Sequence, residues 1–202
     1  MKTALLSTVA VLALAGVATA APLNLVPTYP DATSGAIWVS YNASSQQFRA
    51  VGRAQQLRTD AVTATSLFGG QFLIEAMISN AGNLVAGSST MRVLRGGANP
   101  ATIFSSSSVS LFGFGITNRF EFVFASDGTG IDLLAGAPIG TILTGNGLSF
   151  AGGLPSFQSS FSNQIGSAGA GAGVADSFIV PAPGAAAALG LGGLVALRRR
   201  RK

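Results

Sequence analysis

Phe120, Phe122 and Phe124 alternate with Arg119, Glu121 and Val123, and this period of two constrains the chain more than any other feature. Successive side chains of a strand point to opposite faces, so the three phenylalanines form one apolar face. Each ring that is buried contributes roughly 2–3 kcal/mol of hydrophobic stabilisation, which makes this face a core face. The same period recurs over Gln47 to Ala54, Phe72 to Ile78, and through Ile37, Val39 and Tyr41. Shorter candidates are Thr90 to Arg95, Val109 to Phe114, Ile139 to Leu143 and Phe157 to Phe161. Turn residues separate them at Gly69-Gly70, Asn80 to Asn83, Gly96 to Pro100, Asp127 to Gly130 and Gly145 to Gly147. Short strands at this spacing predict an all-β body, an antiparallel β-sandwich or barrel-like sheet. Arg53 to Asp60 comes nearest to a helical pattern and amounts to one turn at most.

The two ends are of another kind. Lys2 precedes an apolar stretch containing Leu5, Leu6, Val9, Val11, Leu12 and Leu14, and Ala18-Thr19-Ala20 fits the small-x-small cleavage pattern. Residues 1–20 therefore read as a signal helix removed by signal peptidase, with Ala21 as the first mature residue. At the other end, Val180-Pro181-Ala182-Pro183-Gly184 breaks regular structure, because each proline fixes φ and lacks a donor. An unbroken run of Ala, Leu, Gly and Val to Leu197 follows, closed by Arg198, Arg199, Arg200, Arg201 and Lys202. As a helix, Ala182 to Leu197 would be about 24 Å long, a short transmembrane helix in a bilayer core of ~30 Å. The terminal cations would stay on the cytoplasmic side of the inner membrane, leaving the body outside. Gly166 to Gly173 has the composition of a flexible linker. The expected organisation is a signal peptide at 1–20, a β-rich extracellular domain at 21–165, a linker at 166–179 and a sorting or anchor tail at 180–202.

This order of proline motif, short apolar helix and arginine-rich end, VPAPGAAAALGLGGLVALRRRR at 180–201, resembles the PEP-CTERM sorting signal of planctomycete-type bacterial proteins. The resemblance implies an exosortase-like membrane protease as a partner, and display at the cell surface, in the envelope or in the medium. Ala182 stands where that family usually carries Glu. Pro30 to Gly52 also resembles a group of small secreted planctomycete proteins of unknown function, which implies a β-rich extracellular domain.

Charge and residue inventory remove several function classes. Six of the 12 basic residues sit at the two ends; the remaining six arginines face all seven acids, so the body has a net charge of −1. Those arginines are scattered, whereas nucleic-acid binding needs clustered cations against phosphates. No nucleic-acid partner is expected. The chain has no Cys and no His, and no Lys between Lys2 and Lys202. Catalytic Ser-His-Asp, Cys-His and Ser-Lys arrangements are thereby excluded, and zinc loses its usual ligands. Burial and strand pairing must hold the exported domain without disulfides.

Three candidate sites remain. Trp38 and Tyr41, if exposed together, would offer aromatic faces to a polysaccharide. Glu75 and Glu121 are the carboxylates that a glycan hydrolase would use, provided they share one cleft within about 10 Å. Asp127 and Asp132 flank a Gly-rich turn and supply the hard oxygen ligands that Ca²⁺ takes, which would make the chain a calcium-stabilised adhesin. The favoured expectation is an exported, non-enzymatic structural or binding protein, surface-sorted or membrane-anchored and associated with extracellular polysaccharide, without a cofactor.

Overall fold

The alternating segments form antiparallel strands in the computed structural model, which describes residues 21–87, 89–115, 119–131, 134–145, 155–165 and 174–181. Eleven strands are present among them: β1 Asp31–Asn42, β2 Gln47–Arg58, β3 Ala64–Ser66, β4 Gln71–Met77, β5 Thr90–Arg95 and β6 Ala101–Ser106, then β7 Ser108–Gly115, β8 Arg119–Ala125, β9 Pro138–Thr144, β10 Phe161–Ile165 and β11 Val174–Ile179. No helix occurs among the described residues. The signal helix expected at 1–20 and the transmembrane helix expected after Ala182 lie outside them.

Four of the expected turns are built around a left-handed glycine, at Gly69, Gly82, Gly97 and Gly128, conformations that cost glycine little because it has no Cβ. Arg53 to Arg58 is strand rather than a helical turn, since β2 runs on past Ala54 to pair with β1 and β3. The strand expected at Phe157 to Phe161 begins only at Phe161.

The strands follow the order β6-β5-β4-β2-β1-β11-β9-β8-β7, with β10 and β3 as side branches on β1 and β2. β1 organises this sheet. One edge pairs with β2, and the other is divided between β11 at Asp31 to Gly35 and β10 at Ile37 to Tyr41. The division falls at a bulge between Gly35 and Trp38, where Ala36 has φ 51°. A bulge bends its strand and increases local twist, which lets one strand serve two neighbours.

β6 and β7, the ends of this order, are separated in sequence only by Ser107. The segment after β8 borders the free edge of β6, with Asp127 N donating to Ser105 O at 3.0 Å and Ile131 N to Ile103 O at 3.3 Å. The sheet is thus rolled into a nearly closed, barrel-like wall around one core. Phe48 of β2 meets Phe120 and Phe122 of β8 across that core, at ring-centroid distances of 5.2 and 5.3 Å. Phe112 stands 4.9 Å from Phe122, and the expected Phe120-Phe122-Phe124 face is buried throughout.

The C-terminal boundary differs from expectation. Val174–Ile179, assigned by composition to a linker, is β11 and sits in the middle of the sheet between β1 and β9. Ala175, Ser177 and Phe178 are buried, so the segment belongs to the domain.

Candidate functional site

The outer surface of β1, β2 and β4 collects the exposed chemistry. Alternation along β1 buries Ile37, Val39 and Tyr41 and turns Trp38, Ser40 and Asn42 outward. Trp38 is 46% exposed, an uncommon position for the most amphipathic of large side chains unless it meets a partner. Register extends a row from it across the sheet: Trp38 opposes Val51, Val51 opposes Leu73, and Leu73 opposes Arg92. Directly opposed side chains have Cβ atoms about 4.5–5.5 Å apart, so indole, valine and leucine form a continuous apolar strip.

The next row is polar: Ser40, Arg49, Glu75 and Thr90 oppose one another in turn. Arg49 Nε donates to Glu75 Oε1 at 3.0 Å, so that cation is neutralised within the face. Beyond it a shallow cleft of about 430 Å³ is lined by Asn42, Gln47, Arg49, Ser160 and Ser162 among others. On the opposite side of the strip a cleft of about 600 Å³ carries Arg53, Gln55, Gln71 and Phe68. Phe68 is 84% exposed. From Arg53 to Gln47 the face runs about 20 Å along β2, at ~3.3 Å per residue. It presents two exposed aromatic rings among amides and hydroxyls.

Tyr41 does not share this face. Three residues from Trp38 along an alternating strand, it points into the core and is 2% exposed. Its hydroxyl lies 2.8 Å from the Ile78 carbonyl and 2.9 Å from Asn80 Oδ1, and its ring packs edge-on against Phe157 at 5.0 Å. Burial pushes its phenol pKa up.

Glu75 and Glu121 do not share a cleft. Glu75 lies on the outer face of β4 with Arg49. Glu121 points away from the core on the opposite wall, since its neighbours Phe120 and Phe122 are the rings that meet Phe48. It is fully buried there because residues 21–30 cross that wall as a strap. Leu23 N, Asn24 N and Leu25 N donate to the Glu121 carboxylate at 2.6, 3.0 and 2.9 Å. Arg119 adds an ion pair at 2.7 Å and also donates to the Leu25 carbonyl. A carboxylate with its lone pairs so occupied is a structural anchor, and a pair able to act as acid and base on one glycosidic bond is not formed.

Asp127 accepts hydrogen bonds from Ser105 Oγ at 2.8 Å, Ser107 N at 3.0 Å and Ser107 Oγ at 2.9 Å. Partial burial works against its charged form, but these bonds prevail and hold its pKa below the usual range. Asp132 lies outside the described residues, and no group of three or more acidic side chains placed to hold a metal ion occurs among the described ones. Of the tail motif only Val180 and Pro181 are described; Val180 N donates to Pro138 O at 2.9 Å, continuing the β11 edge. Ala182, Pro183, Gly184 and the terminal cations lie outside, as do Ala18 and Ala20. Ala21 is exposed at the start of the strap.

Sequence reading missed Val51 and Phe68 as companions of Trp38. Only register makes Val51 and Leu73 its neighbours, and register between distant strands is not written in local alternation. No protein family, curated protein or solved structure matches the chain.

Proposed function

We propose that this is an exported, surface-sorted, non-enzymatic domain that holds extracellular polysaccharide on the outer face of β1, β2 and β4. The observation that carries the reading is Trp38, exposed at one end of an apolar strip that runs between two open clefts. Sugar rings present apolar faces edged by hydroxyls, and a flat indole among amides and serines complements both. The Arg49–Glu75 pair is neutral within the face, and the exposed Arg53 and Arg92 border it. The leader and the PEP-CTERM-like tail support delivery across the inner membrane, through signal peptidase and an exosortase-like protease.

Co-sedimentation with insoluble polysaccharides (cellulose, chitin and an ionically gelled alginate) tests the face. The native chain is expected to bind at least one uncharged polymer, and Trp38→Ala to weaken that binding on the order of tenfold, the effect of losing ~1.4 kcal/mol at a central contact. Equal binding by both proteins, or binding by neither, overturns the reading.

A further inference from the structure

The cleft beside Phe68 holds a cation that the fold does not use. The body has six arginines and no lysine. Arg49, Arg58 and Arg119 are ion-paired with Glu75, Asp31 and Glu121. Arg95 Nε donates to the Asn99 carbonyl at 3.1 Å, and Arg92 lies within electrostatic reach of Asp127. Arg53 is exposed and has neither an ion pair nor a side-chain hydrogen bond among the described residues. In a body so poor in charge, a guanidinium left without a partner is the exception.

Its setting follows from the strand pattern. Arg53 lies two residues beyond Val51 on β2, hence on the same outer face and about 6.6 Å further along. It opposes Gly35 of β1. Gly35 has no side chain, and the Gln55 amide lies over it, where a Cβ would fall 2.4 Å from Gln55 Nε2. On the other side, the register that sets Gly52 opposite Phe72 brings Gln71 opposite Arg53. Arg53 thus stands between two amide residues in the cleft of about 600 Å³, with Phe68 at its edge and no acid among the lining residues. A planar guanidinium fork flanked by amide donors matches the oxygens of a carboxylate or sulfate, and a neutral sugar would leave its charge unanswered. We propose that this cleft takes an acidic sugar unit, through a carboxylate or sulfate on the ring, while neighbouring units of the same chain lie on the Trp38 strip.

The inference deepens the polysaccharide reading and rests on it. The uncharged polymer that the native chain binds, cellulose or chitin, is compared in co-sedimentation with two derivatives of itself. In one the C6 hydroxymethyl groups are oxidised to carboxylates; in the other, hydroxyls are sulfated. At about 0.02 M salt the native chain should bind one derivative roughly fivefold more tightly than the parent, the upper end for an exposed ion pair. The preference should vanish at about 0.5 M salt, where the screening length has fallen to about 4 Å. The derivative that shows it distinguishes a carboxylate from a sulfate ligand. Arg53→Gln should abolish the preference and leave binding to the parent polymer intact. Arg95→Gln removes an equal charge from outside the cleft and should keep the preference. No preference for either derivative, a preference that survives Arg53→Gln, or one lost equally in Arg95→Gln would each overturn the proposal. Failure of the underlying reading looks different: Trp38→Ala then leaves binding to the parent unchanged, or neither parent polymer binds, and this proposal falls with it.

Discussion

Asp176, on β11, shows how burial and charge compete at single residues. Desolvation pushes its carboxyl up to about 6, the Asp31 charge adds to the shift, and Arg58 and Arg119 oppose it. Asp31 is raised as well, chiefly by burial, against its hydrogen bond and ion pair with Arg58. A carboxyl with a raised folded pKa favours folding while protonated and loses that contribution as pH rises through the folded value. The melting temperature should therefore fall as pH rises from about 4 to 6, and Asp176→Asn should flatten that slope; a thermal scan at half-unit pH steps checks it. Tyr41→Phe removes one buried hydroxyl and should cost about 1 kcal/mol in a denaturant titration, leaving polysaccharide binding unchanged. The inward positions of Phe48, Phe72 and Phe120 to Phe124 were legible in the sequence, because strict alternation assigns a face. Trp38 and Tyr41 were read as one strip although an odd spacing separates them, and in β1 that spacing sends them to opposite faces. The role of Glu121 was not legible, since its partners lie 96 to 98 residues away and are backbone groups of no particular sequence.

Among the elements, β11 departs most from what composition implies. Its sequence, VADSFI, is only six residues long and follows a glycine-alanine run, so the strand signal of Val174, Phe178 and Ile179 is weak beside that of its surroundings. Its place comes from long-range pairing, with β1 over Asp31 to Gly35 and with β9 over Ile139 to Thr144. Because β11 lies between two other strands, removing it opens the wall rather than trimming an edge. A chain ending at Gly173 should lose cooperative unfolding and become protease-sensitive throughout, whereas one ending at Pro181 should melt like the full domain; limited proteolysis of the two distinguishes these outcomes. The strands rich in phenylalanine and β-branched residues were legible to within a few residues. β10 and the extension of β2 to Arg58 were not, for they exist where partners are available to satisfy backbone groups.

Across the whole molecule, charge and hydrophobicity are sorted by position. The body is nearly neutral and holds its aromatic core within one rolled sheet, while the cations that set the high isoelectric point sit at the ends. The strap and the last strand are joined where the Thr28 hydroxyl donates to the Ile179 carbonyl. The central proposal is that a leader and a sorting or anchoring tail deliver this domain outside the cell, both being cut away in the mature form. Intact mass of the chain from its native host, taken from membrane, surface and medium fractions, tests it most directly. The account predicts a species beginning at Ala21 and ending near Pro181, at the surface or in the medium. A chain still carrying Met1 in the cytoplasm, or one retaining Arg198 to Lys202 wherever it is found, would contradict it.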